Sequence, residues 1–187
     1  MGEHKEQIVA SPFMGEVFPA GIKPAATIRK LLKKIREKKH RLDLSLYRGE
    51  KVVSFTLCMR YRVNILNTNL IFNKFEFILK VEIQKQDCEA IIYLFMPDHI
   101  HLILEGKRET SNVITVVNTF KQSTGFWFHK NMNNLKWQKD YYDHIIRNTK
   151  DIRNQIYYIL NNPVRSGIAE VWKDYKYKGS TTYNFDE

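Results

Sequence analysis

His99 and His101 stand one residue apart within Tyr93-Leu94-Phe95-Met96-Pro97-Asp98-His99-Ile100-His101-Leu102-Ile103-Leu104. Apolar, β-favouring residues run up to Pro97-Asp98, a tight-turn pair, and resume after it, so the stretch reads as two short strands joined by a turn. Side chains alternate between the two faces of a strand. His99 and His101 therefore point one way, while Ile100 and Leu102 point into the core, and Asp98 is expected on the face opposite the histidines. Two imidazoles with β-carbons roughly 7 Å apart on a rigid support can converge on one metal ion. The plainer alternative is a pair of half-buried histidines that only hydrogen-bond on a sheet.

A tyrosine offers a second chemistry. Ile152, Ile156, Ile159 and Leu160 recur at i, i+4, i+7 and i+8, so Lys150 to Asn162 reads as an amphipathic helix, with Asn148 or Thr149 as its cap and Pro163 limiting its continuation. The opposite face presents Asn154, Tyr158 and Asn162. Tyr158 and Asn162, four apart, lie one above the other about 6 Å along the axis. Tyr157 falls on another face and reads as packing.

Positioning these groups falls to the rest of the chain. Val52 to Met59 is β-rich and reads as a strand. Thr68 to Lys85 reads as a helix, with Ile71, Phe75 and Ile78 on one face and cap candidates from Asn67 to Asn69. After the histidine hairpin, Asn112 to Lys130 repeats the helical spacing through Val113, Val116, Val117 and Phe120, and Asn131 to Asn134 ends it. Tyr141 to Arg147 reads as a fourth strand. The expected fold class is α+β: a βαββαβ antiparallel sheet of ferredoxin-like or RRM-like type, with an additional C-terminal helix and a basic N-terminal helix. In that topology the strand after the hairpin turn is central. The histidines then lie mid-sheet, on the face the two helices leave open or at the rim beneath another helix.

The formal charge is +10, and its placement matters more than its size. Residues 23–41 hold nine Lys and Arg against one Glu, so they carry +8 and the remainder of the chain only +2. Ile28, Leu31, Leu32 and Ile35 mark an amphipathic helix there, whose other face carries Arg29, Lys30, Lys33, Lys34 and Arg36. A polyanion is the natural partner, most often nucleic acid. A solvated basic face or a membrane-surface segment are the alternatives. The division expected is a leader with this basic helix over residues 1–50 and a catalytic domain over 51–187. Apolar content of 43% excludes a disordered chain. The apolar runs are far too short for a bilayer span and the N-terminus has no secretory h-region, so a soluble, cytoplasmic protein is expected. Cys58 and Cys88 lack metal-ligand spacing and are expected reduced, in or near the core.

Several stretches together resemble a known family. They are Met96-Pro97-Asp98-His99-Ile100-His101-Leu102, Phe120-Lys121, Trp137-Gln138, Tyr142-Asp143-His144-Ile145-Ile146-Arg147-Asn148, and Tyr158-Ile159-Leu160-Asn161-Asn162-Pro163-Val164-Arg165-Ser166-Gly167. Spread over residues 52–177, about two thirds of the chain, they resemble the single-tyrosine insertion-sequence transposases, and most closely the REP-associated tyrosine transposases. The resemblance implies an HUH nuclease fold and a metal-dependent single-stranded DNA endonuclease and strand transferase, acting on hairpin-containing DNA. It implies Tyr158 as nucleophile, forming a 5′-phosphotyrosine, and Mg²⁺ or Mn²⁺ held by His99, His101 and the amide oxygen of Asn162. The family often places a glutamine four residues after the tyrosine. Asparagine is shorter, and Gln155 is a fallback ligand. Lys121, Lys150 and Arg147 are candidate cations beside the tyrosine. For DNA, Lys121, Arg147 and the basic helix (Arg29, Lys30, Lys33, Lys34) are candidate contacts. The Lys/Tyr alternation from Lys173 to Lys178 reads equally as a contact surface or an ordinary strand, and His144 as a site residue or a structural hydrogen-bonding group. Insertion-sequence members are typically dimers and the REP-associated branch can act as monomers, so monomer and homodimer both stand. A domesticated DNA-binding protein of the same fold without turnover is the main alternative. An unrelated metal-dependent hydrolase would need a further carboxylate cluster.

Overall fold

The structure, a computed structural model, describes residues 43–132 and 135–185. The expected basic helix, with Arg29, Lys30, Lys33 and Lys34, lies outside the described residues.

Five antiparallel strands form one sheet in the order β4-β1-β3-β2-β5. They are β1 (Val52–Cys58), β2 (Cys88–Phe95), β3 (His99–Gly106), β4 (Tyr142–Ile146) and β5 (Lys178–Gly179). The first four have the expected ferredoxin-like arrangement, and β3 is the middle strand. The long helices α1 (Asn69–Lys85) and α2 (Val113–Asn131) cover one face because alternate strand residues offer them an unbroken apolar surface. Val53, Phe55 and Leu57 of β1 and Ile100, Leu102 and Leu104 of β3 are buried there with Phe75, Phe120 and Phe128. Phe75 meets Phe120, Trp127 and Phe128 edge-on, at centroid distances of 5.0–6.1 Å. Trp137 joins this core and donates its indole N–H to Thr124 Oγ1 at 2.9 Å, so its one polar atom is satisfied. Tyr47, ahead of β1, belongs to the same core: it stacks on Phe55 at 6.3 Å and donates to the Asp143 carboxylate.

A second, smaller core lies on the opposite face. Ile91, Ile92, Leu94, Met96, Ile103 and Ile146 of the sheet pack with Ile159 and Leu160 of α3 (Thr149–Leu160) and with Tyr175. Asn148 caps α3, accepting from Asp151 N at 2.9 Å. The helix stops at Leu160, short of the expected Asn162, where Pro163 has no N–H to continue the bonding to Ile159 O. A separate turn, α4 (Asn162–Arg165), follows.

The C-terminal Lys/Tyr alternation is a docked edge. Tyr175 donates to Phe95 O at 2.6 Å, Phe95 N donates to Tyr177 O at 2.8 Å, and Lys178 Nζ donates to Lys173 O and Tyr175 O. Cys58 and Cys88 are free and buried. Among the described residues no helix is long and apolar enough to cross a membrane.

Candidate active site

The histidine hairpin is pinned at its tip. Met96 N donates to His99 O at 2.8 Å across the Pro97-Asp98 turn, Pro97 O accepts from Ile65 N and Leu66 N, and Met59 N donates to Asp98 O. On β3 the pairing sets His99 opposite Cys58 and His101 opposite Thr56, on the face away from α1 and α2. The two Nε2 atoms approach to 3.1 Å with the rings at 88°. Each Nδ1 is held from behind: His99 by Asp98 Oδ1 at 2.5 Å, His101 by Thr56 Oγ1 at 3.1 Å. Asp98 does not face away as strand alternation predicts. It belongs to the turn, where alternation does not apply, and its second oxygen meets Arg62 Nε at 2.5 Å.

Electrostatics fix the protonation state. Burial, with the neighbouring His99 and Arg62 acting in the same direction, pushes His101 down to about 3, against the opposing Asp98, so its imidazole is neutral at physiological pH. Burial opposes ionisation of Asp98, but the hydrogen bond and charge of His99, together with Arg62, hold its carboxyl below the usual carboxylate range.

This arrangement fits a divalent ion. Two imidazole nitrogens about 2.0–2.1 Å from one metal stand about 2.9–3.4 Å apart at octahedral to tetrahedral angles, and the observed separation is 3.1 Å. Metal-bound histidine must be neutral and usually has its other nitrogen held by a carboxylate or another oxygen, as both are here. The Thr56 hydroxyl can donate to Nδ1 or accept from it, so it serves the tautomer that frees Nε2. Among the described residues no group of three or more His, Cys, Asp or Glu could hold a metal, so a third ligand from these residues would be a neutral oxygen, such as an amide, a hydroxyl or a backbone carbonyl.

Tyr158 reaches this face along α3. Its helix starts beyond β4 at the end of the sheet where Val52 pairs with Ile146, four strand residues, or roughly 13 Å, from the Thr56–His101 pair. Nine residues of helix rise about 13.5 Å from Thr149 to Tyr158. Ile159 and Leu160 are buried in the cluster that includes Leu94, the β2 partner of His101. Tyr158 is half-exposed, and the Arg165 guanidinium lies over its ring, 4.7 Å from the centroid. Asn162 donates Nδ2 to Tyr158 O at 3.2 Å, which turns its amide oxygen away from that carbonyl. Tyr157, expected to pack, is the more exposed of the two tyrosines at 71%.

The remaining candidates separate. Lys121 Nζ donates to the carbonyls of Gln138 (2.9 Å) and Lys139 (3.1 Å), which gives it a structural task. Arg147 is at the far end of β4 from the histidines and lines an open cleft of about 440 Å³ with Lys51, Asn148 and Ile152. Lys150 is exposed and Gln155 partly buried on α3. His144 is exposed, opposite Ser54 on the histidine face. The cation placed on Tyr158 is therefore Arg165. Its spacing of seven residues, two helical turns, was the available signal. Thr56 and Arg62 carried no such signal, because they reach the histidine pair only through strand register and chain reversal.

Fold and site define an α+β protein with paired histidines on the central strand and a tyrosine-bearing helix on the same face. The family described as "Transposase IS200 like" matches residues 51–162, and the chain belongs to that family of transposases. It is 31% identical over 126 residues to the REP-associated tyrosine transposase of Escherichia coli K12, covering 66% of this chain and 72% of that one. A Haemophilus influenzae Rd protein assigned as a REP-associated tyrosine transposase is 30% identical over 136 residues, covering 66% and 76%. The solved structure of a REP-associated tyrosine transposase bound to a REP hairpin shares the fold, with a TM-score of 0.60 at 22% identity over 80% of this chain and 90% of that one.

Proposed function

We propose that this transposase cleaves and rejoins single-stranded DNA beside a hairpin, with Tyr158 as nucleophile. The observation that carries the reading is the histidine pair, with Nε2 atoms 3.1 Å apart, His101 neutral and both rings held from behind. The phenolic oxygen of Tyr158 attacks phosphorus as its proton passes to solvent or a nearby base. A Tyr158 O–P bond forms and the P–O3′ bond breaks. The 3′ oxygen leaves as a hydroxyl on taking a proton, and the DNA 5′ phosphate stays on the enzyme. The phosphotyrosyl bond keeps the energy of the phosphodiester, so attack by another 3′-OH restores a strand. His99, His101 and the amide oxygen of Asn162 would hold Mg²⁺ or Mn²⁺, which when bound withdraws negative charge from a phosphate oxygen. Arg165 holds the Tyr158 ring and adds positive charge beside the phenol. Hairpin DNA as substrate is supported by the solved relative bound to a REP hairpin, and a reduced, cytoplasmic setting by the two free cysteines. The basic residues Arg29, Lys30, Lys33 and Lys34, in the segment ahead of the catalytic domain, would add phosphate contacts.

A covalent-adduct assay tests this. Wild type incubated with labelled hairpin DNA and Mn²⁺ gives a denaturation-resistant protein–DNA band, which Tyr158→Phe and His99→Ala lose. Tight DNA binding without a band from any hairpin would leave a DNA-binding protein without turnover.

A further inference from the structure

Between β1 and α1, Arg60-Tyr61-Arg62 forms one tight turn whose backbone enters the left-handed region at two consecutive positions, φ 61° at Tyr61 and φ 55° at Arg62. Neither is a glycine or an asparagine, and a bulky L-residue is strained there. The surroundings impose the conformation. Arg60 N donates to Lys136 O at 2.8 Å and Arg62 N to Met59 O at 3.1 Å. The Arg62 side chain donates to Cys58 Sγ at 3.1 Å and meets Asp98, the carboxylate that holds His99. The result is a tyrosine ring 80% exposed, next in sequence to the arginine that is tied to His99 through Asp98, with the Arg60 guanidinium packed over one face, 4.8 Å from the centroid. Strained backbone that displays a large ring to solvent contributes nothing to the core, and such strain collects at functional sites.

We infer that Tyr61, backed by Arg60, is a stacking platform for a nucleobase of the single strand adjoining the scissile phosphate. This rests on the function proposed above and names a substrate contact for it. The uncovered ring face accepts any base, because every base has a π-face. Arg60 behind the ring adds positive charge for the neighbouring phosphate. The Arg62–Asp98–His99 chain fixes the distance from the stacked base to the histidine pair. Tyr142, 73% exposed opposite Thr56, is another ring on the open face. Among the described residues no cation lies over it and its backbone is unstrained, so the platform is assigned to Tyr61.

The test uses the full chain and a hairpin oligonucleotide carrying a single-stranded flank of randomised sequence, compared with the same hairpin without the flank. Tyr61→Asn accepts the left-handed backbone and removes the ring, and Tyr61→Phe keeps it. Tyr61→Asn is expected to bind the flanked hairpin about 10-fold or more weakly, to bind the bare hairpin as wild type does, and to melt no lower. Tyr61→Phe behaves as wild type. Equal binding of the flanked hairpin by Tyr61→Asn and wild type overturns the inference, and so does a loss shared by the bare hairpin. Tyr61-dependent binding with no covalent adduct from any hairpin overturns the proposed function alone. Wild type that ignores the flank altogether overturns the inference while leaving the adduct assay to decide the chemistry.

Discussion

Replacing Asp98 by Asn keeps the shape of the side chain and removes its charge. The carboxylate makes two contacts of 2.5 Å, to His99 Nδ1 and to Arg62 Nε. An amide can keep its oxygen on His99, but its NH₂ then faces the Arg62 N–H, donor against donor. Hydrogen bonds to charged groups are worth about 1.5–3 kcal/mol and neutral ones about 0.5–1.5, so the His99 contact weakens by roughly 1–1.5 kcal/mol. The Arg62 side chain is 53% exposed, so its ion pair adds little more. A loss of about 1–2 kcal/mol at the histidine ligand is a 5- to 30-fold weaker metal affinity, within the range for groups that orient metal-bound histidines. Calorimetric titration of wild type and Asp98→Asn with Mn²⁺ at neutral pH reads this directly. Equal affinities would show that Asp98 does not support a metal ligand, and the histidine pair would then lose its strongest claim to metal.

Other outcomes follow from the same geometry. His101 is held down to about 3 while the unfolded chain takes up its proton near 6.5, so stability is full above about pH 6.5 and falls by about 1.4 kcal/mol per pH unit as pH drops toward 3. Asp98 adds to the loss only below about pH 4, and denaturant melts from pH 7 to 4 should show a slope that His101→Gln flattens. A Cβ on Gly179 would lie 2.3 Å from the Tyr93 hydroxyl, and Tyr93 is held against Glu76. Gly179→Ala should therefore displace β5 and destabilise by about 1–3 kcal/mol, seen as a melting temperature several degrees lower. Arg165→Gln removes the cation over Tyr158, worth about 0.5–1 kcal/mol where exposed, and should slow adduct formation 2- to 5-fold with DNA affinity little changed.

The two long helices and the tyrosine helix were legible because each carries a period of 3.6 in its apolar residues, and the four strands because β-favouring residues gather in short runs bounded by turns, β2 as an almost unbroken apolar run. β5 was not legible: two residues, Lys178 and Gly179, carry no period, and their pairing with Leu94 and Tyr93 is decided by where Tyr175 docks. The histidine pair was legible as a shared face, but its supports were not. Thr56 reaches His101 through a register that spans 45 positions of sequence. Asp98 escaped because a turn residue does not obey strand alternation. The end of α3 was misplaced by two residues, since Asn162 continues the helical spacing and only Pro163 interrupts the backbone.

The two halves of the site rest on different cores. The histidines are carried by the central strand, whose other face is locked into the large cluster under α1 and α2. Tyr158 is carried by a twelve-residue helix held by the smaller cluster around Ile159 and Leu160. Such a helix can open as a local unit at a fraction of the global unfolding free energy. Amide exchange should then be faster along α3 than along β3.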